Sequence, residues 1–156
     1  MEFVTGLIQP ASKEISELMA PEMDGAQVVV NGAVHTVRDM GEVAFVVLRK
    51  REGLLQCVFE EGVTDFLLSK IREGATLEAK GVVRREERAP NGIEVRLQEV
   101  TLLSAPADTM PIPIGKWKLN TSLETKLALR PIALRNVRER AKFKIQEGLV
   151  RGFRDY

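Results

Sequence analysis

Val43-Ala44-Phe45-Val46-Val47-Leu48-Arg49, then Lys50-Arg51-Glu52-Gly53, then Leu54-Leu55-Gln56-Cys57-Val58-Phe59: this stretch decides how the chain is read. Two runs of Val, Leu and Phe flank a short charged segment, which predicts two antiparallel strands joined by a hairpin. Arg51-Glu52-Gly53 is the expected turn, with Gly53 available for positive φ. Alternation puts Phe45, Val47 and Arg49 on one face and Ala44, Val46 and Leu48 on the other. On the next strand Leu54, Gln56 and Val58 alternate against Leu55, Cys57 and Phe59. A two-residue loop would pair Arg49 with Gln56, whereas a register shifted by two would pair Val47 with Gln56. Both registers have the same parity, so Phe45 and Gln56 share a face in either.

Upstream, residues 27–37 carry valines at 28, 29, 30, 34 and 37 and predict a first strand, broken at Asp39-Met40-Gly41-Glu42. Downstream, Phe66, Leu67 and Ile71 follow Asp65 at helical spacing and predict a helix over 63–71, which Gly74 would end. A fourth strand is expected over 76–87, a turn at Ala89-Pro90-Asn91-Gly92, and a fifth strand over 93–104. Three strands, a helix, then two strands is the element order of the OB-fold, a five-stranded Greek-key barrel of the mainly β class.

The flanks divide into three. Residues 1–26 read as an N-terminal lead-in, with a short helical pattern over 12–19 that Ser12 would cap. The OB barrel fills 27–104. Residues 105–121 read as a linker, because Pro106, Pro111 and Pro113 deny it regular pairing. Residues 122–156 read as a helical hinge: a short helix over 122–127, then a longer C-terminal helix capped by Asn136. The longer helix carries an apolar stripe of Val137, Ala141, Ile145, Leu149 and Phe153.

Composition excludes more than it announces. One cysteine, Cys57, and one histidine, His35, leave no internal disulfide, no cysteine-based metal site and no cluster of histidine ligands. Phosphate-binding, dinucleotide, nucleophile-elbow and zinc-peptidase motifs are all absent, so no catalytic, cofactor or metal residue is nominated. No apolar run approaches the roughly 18 residues of a membrane span, and the expected location is the cytoplasm. The formal net charge of +1 is low for a generic nucleic-acid binder. Any such function must rest on local charge and stacking.

Two readings of Phe45 stand: barrel core, or a platform on which an unpaired base stacks. Gln56 is either polarity on an exposed strand or an amide that donates to and accepts from a base edge. Arg49, Lys50, Arg51, Arg84 and Arg85 are either solvated or in contact with phosphate. His35 and Thr36 are candidates for the backbone of a bound loop, or simply strand residues.

Gly32, Val34, His35, Arg38, Asp39, Gly41, Phe45, Arg49, Gly53 and Gln56 together resemble the N-terminal domain of class II aspartyl-tRNA synthetases, most of all the archaeal-type branch. That family has a Gly-Trp-Val-His-x-x-Arg-Asp-x-Gly motif running on to a Phe-x-x-x-Arg and a Gly-x-x-Gln. Gly81-Val82-Val83, Gly92-Ile93-Glu94-Val95 and the run from Leu129 to Asn136 extend the resemblance through nearly the whole chain. Ala33 stands where the family has Trp, Ala79 where it has Val, and Ala133 where it has Asp. The resemblance implies a partner, the anticodon stem-loop of tRNA. Phe45 would stack on the middle anticodon base, Gln56 and Glu94 would help read the first bases, and Arg38 would contact the stem-loop. It further implies a parent enzyme, a homodimer, that joins aspartate to tRNA with ATP and Mg, its catalytic residues lying beyond position 156. An asparaginyl-tRNA synthetase and a free-standing OB adaptor are the alternatives.

Overall fold

The computed structural model describes residues 12–156, which fall into two compact units divided between Ala107 and Asp108. The first is a closed barrel of five strands in the order β1-β2-β3-β5-β4. Its strands are β1 (Gln27–Asp39), β2 (Val43–Arg49), β3 (Leu54–Glu60), β4 (Thr76–Arg85) and β5 (Ile93–Ser104). All five expected strands are present, β2 and β5 with the bounds read from sequence.

Closure depends on β1 serving two neighbours. Its first half pairs with β4, from Gln27↔Val82 to Ala33↔Thr76, and its second half with β2, from Ala33↔Arg49 to Asp39↔Ala44. Gly32 sits where the strand passes from one to the other. A Cβ there would lie 3.2 Å from both the Arg49 carbonyl oxygen and Leu48 Cβ, so glycine permits the close approach. The ladder then slips between Val34 and Thr36, which makes His35 the extra residue of a bulge.

The interior is the apolar half of each alternation. Val28, Val30 and Val34 of β1, Ala44, Val46 and Leu48 of β2, and Leu55, Cys57 and Phe59 of β3 meet Leu77, Ala79, Val83, Ile93, Val95 and Leu97 in one core. Each Val, Leu, Ile or Phe among them contributes on the order of 1.5–3 kcal/mol by leaving water.

Three local expectations fail. Between β3 and β4 there is no helix over 63–71, only a 3-10 turn at Leu68–Lys70. The chain there is tied to β5 instead: Asp65 N donates to Gln98 O at 2.7 Å and Thr64 Oγ1 to Leu97 O at 3.0 Å. A single apolar turn cannot offset helix nucleation against such tethers. In the lead-in, Ser12 does not cap α1 (Ile15–Leu18); Glu14 and Glu17 form a capping box there. Ser12 instead bridges to Val29 and hydrogen-bonds Asn31. Gly53 is not among the residues with positive φ, because the loop from Lys50 closes through Lys50 N on Gly53 O at 2.9 Å. The part of the lead-in over 1–11 lies outside the described residues.

The second unit, from Asp108 to Tyr156, has its own small core. Ile112 and Leu119 are buried with Ala133, so part of the expected linker over 105–121 is packed. The unit continues through α2 (Leu123–Ala128), α3 (Arg130–Ala133) and α4 (Val137–Asp155). Ser122 caps α2 and Asn136 caps α4, accepting from Arg138 N and Glu139 N. The Asn136 amide also donates to Ile114 O at 2.8 Å and Lys116 O at 2.6 Å, which fixes the start of α4. Of the predicted stripe, Ile145, Leu149 and Phe153 are exposed.

Candidate nucleic-acid interface

The outward face of the barrel is organised in rows across β1, β2, β3 and β5, since residues paired in register point to the same side. One row runs Arg38↔Phe45↔Val58↔Arg96. The next runs Thr36↔Val47↔Gln56↔Glu94, with Arg84 of β4 beyond it. Phe45 and Gln56 therefore lie on one face in adjacent rows, and the observed register is the one that pairs Val47 with Gln56. Phe45 is half-buried and outside the barrel core. Its cross-strand neighbour Val58 is buried, as is Val47, although both point outward. The ring thus stands on an apolar floor with part of its surface in solvent.

Gln56 and Glu94 meet through the parallel pairing of β3 with β5. Gln56 Nε2 donates to Glu94 Oε2 at 3.4 Å. That contact orients the amide and engages one of its two N–H groups, so its carbonyl oxygen and its other N–H are left for a ligand. Glu94 has only 8% of its side chain exposed, and Arg96 Nε lies 3.7 Å from its Oε1. Arg96 is held on its other side by Glu60, 3.7 Å away. Arg96 is not among the residues nominated from the sequence. The partnership with Glu60 arises because β5 runs parallel to β3, and nothing in the local pattern announces a pairing so distant in the chain.

The other nominated residues separate. Arg38 is exposed, in register with Phe45. Arg49 is half-buried, in register with Leu54. His35 is buried at the bulge, only 3% exposed, which leaves little of it for a ligand to touch. Lys50 corrects the phosphate reading outright, with a side chain 1% exposed. Its Nζ donates to Asn31 O at 2.9 Å and faces Glu14 at 3.7 Å, so its charge is spent inside the protein. Arg51, Arg84 and Arg85 are exposed, and Arg85 also donates to Met19 O at 3.2 Å. Cys57 is enclosed in the core, where burial pushes its thiol up to about 12, well above the ordinary cysteine range, and leaves it inert. Among the described residues no group of His, Cys, Asp and Glu could hold a metal ion, and no helix is long and apolar enough to cross a membrane.

A closed five-stranded barrel whose outward β2–β3 face carries an aromatic beside an oriented amide defines a nucleic-acid-binding module of the OB class. Residues 28–103 match the tRNA anticodon family, described as an OB-fold nucleic acid binding domain. Over 138 residues the chain is 33% identical to the aspartate–tRNA(Asp/Asn) ligase of Sulfurisphaera tokodaii, covering 88% of this chain and 32% of that protein. The ligase of the same name from Deinococcus radiodurans is 37% identical over 134 residues, covering 86% of this chain and 29% of that one. Among solved structures, asparaginyl-tRNA synthetase from Pyrococcus horikoshii, complexed with asparaginyl-adenylate, superposes with a TM-score of 0.77 at 26% identity. That match covers 92% of this chain and 33% of the other. The chain spans about a third of the length of the curated relatives it matches. It carries an anticodon-binding OB domain like that of the aspartyl-tRNA synthetases.

Proposed function

We propose that the outward face of β2, β3 and β5 binds the anticodon loop of a tRNA. The observation that supports this best is the register Val47↔Gln56↔Glu94, which sets amide and carboxylate side by side, one row from Phe45. In this reading the middle anticodon base stacks on the Phe45 ring. The Gln56 carbonyl and the Glu94 carboxylate both accept hydrogen bonds, so they favour a base edge rich in donors, as guanine has. A base offering acceptors to Glu94 would meet repulsion. Arg38, exposed beside Phe45, takes the phosphates of the stem-loop.

In the longer protein that the relatives suggest, this module would select tRNA for attachment of aspartate, with ATP and Mg bound by other residues. That protein is expected to be a cytoplasmic homodimer. This chain alone is expected to hold tRNA weakly and to form no aminoacyl-adenylate. The structural likeness to an asparaginyl enzyme favours a second reading for the same face, recognition of asparagine tRNA. Aspartate and asparagine anticodons share their first two bases, so Phe45, Gln56 and Glu94 would serve either.

Fluorescence anisotropy with labelled stem-loops tests the proposal. The aspartate and asparagine anticodons should bind with similar affinity, and an unrelated anticodon at least about tenfold more weakly, a difference of roughly 1.4 kcal/mol. Equal affinity for all three would leave a strand binder without anticodon recognition.

A further inference from the structure

We propose that Arg96 is a positioning residue that acts through Glu94 to make base recognition on this face selective; the proposal rests on the anticodon reading above. Three observations carry it. Glu94 is nearly enclosed, yet the hydrogen bond it accepts from Gln56 is long, at 3.4 Å, and Gln56 brings no charge. A carboxylate so far removed from water needs a cation close by to offset its lost hydration and hold it in place. Arg96 supplies one, with Nε 3.7 Å from Glu94 Oε1.

The second observation is that Arg96 is itself braced. Its Nη1 lies 3.7 Å from Glu60 Oε1, so the guanidinium spans two carboxylates of neighbouring strands rather than standing free. Glu60 ends β3 on the same face as Gln56 and Val58. The third is location. Arg96 shares the row of Phe45 and Val58, one strand beyond them, so a base lying on Phe45 would have Arg96 at the far edge of its floor. Half of the Arg96 side chain is exposed, 56%, so the arginine contributes little to the fold, while its head group fixes the direction of Glu94.

A rival role for the same arginine is direct contact with phosphate, and the two differ in what they change. Positioning alters the choice between bases. Phosphate contact weakens every sequence alike and flattens the salt dependence by about one unit of slope.

The experiment uses the whole chain and two stem-loops, the aspartate anticodon and the same loop with its first guanine replaced by adenine. Arg96→Gln should cut the guanine-over-adenine preference by about tenfold, through weaker guanine binding. Arg96→Lys, which keeps the charge, should retain most of that preference, and the thermal midpoint of Arg96→Gln should stay at that of the parent. An unchanged preference in Arg96→Gln overturns the proposal, whether or not the midpoint falls. So does equal weakening of both loops with a shallower salt slope. Phe45→Ala serves as the reference: if it weakens both loops while Arg96→Gln leaves the preference intact, only the role of Arg96 fails. If neither substitution changes either affinity, the anticodon reading of the face fails with it.

Discussion

Phe45→Ala is the substitution on which the interface stands. The ring is half-buried, lies outside the barrel core, and shares its face with Val47 and Val58. Removing it takes away a stacking surface worth about 1–3 kcal/mol per base, which corresponds to a loss of roughly 5- to 150-fold in affinity. The fold should lose less than the roughly 3–5 kcal/mol of a core phenylalanine, since Ala44, Val46 and Leu48 fill the interior of β2 without it. Stability and binding are therefore separable, and the titration should be run far below the unfolding midpoint. The salt dependence gives an internal control. A phenyl ring neutralises no phosphate, so the slope of log affinity against log salt should be the same in parent and variant. Phe45→Tyr should bind nearly as well as the parent, and Phe45→Leu, which keeps the apolar area but not the flat π-face, should resemble Ala. Affinity within twofold of the parent in the Ala variant, or restored fully by Leu, would refute stacking and return Phe45 to a packing role.

Two further substitutions test how the face is supported. Lys50→Ala deletes a buried ammonium and leaves the Asn31 carbonyl without its donor, so the chain should lose about 1–3 kcal/mol in urea denaturation with no change in the salt slope of RNA binding. Gly81→Ala should cost more than any other alanine on the barrel wall, because the new Cβ would overlap the Arg96 carbonyl oxygen, whereas Gly148→Ala in α4 meets nothing within 4 Å and should stabilise by about 1 kcal/mol; circular dichroism melts would compare them.

What could be read from sequence was whatever repeats at a period of two. The alternation in β2 and β3 separates Leu48 from Arg49 and Cys57 from Gln56 without any knowledge of the tertiary fold, and parity carries Phe45 and Gln56 to one face whatever the loop length. Strand ends at Val43, Arg49, Ile93 and Ser104 were legible for the same reason, each bounded by charge, glycine or proline. What depends on distant partners was not. Lys50 looks solvated beside Arg49 and Arg51, but the lead-in supplies Ser12 and Glu14 to bury it. The segment over 63–71 has helical spacing, yet tethers from Thr64 and Asp65 to β5 hold it in turns. The bulge that takes His35 inward leaves no trace in the valine pattern. The resemblance to a family named Glu94; its contact with Gln56 needed the parallel β3–β5 pairing.

That pairing also explains how a chain of net charge +1 can suit a polyanion. Along the face, Glu60 and Glu94 are interleaved with Arg96, while Arg38 and Arg84 stand at the outer ends of the two rows. In the proposed reading these carboxylates would repel a backbone lying flat over them and favour a nucleotide whose base, turned inward, brings donors. Arginines at the margins would then meet the phosphates on either side. A uniformly basic groove would hold any strand, and the central carboxylates would have no use in it. If the proposed reading holds, charge arranged in this way would make affinity conditional on the base presented: a strand that could not satisfy Glu94 and Gln56 would gain too little from Arg38 and Arg84 to stay.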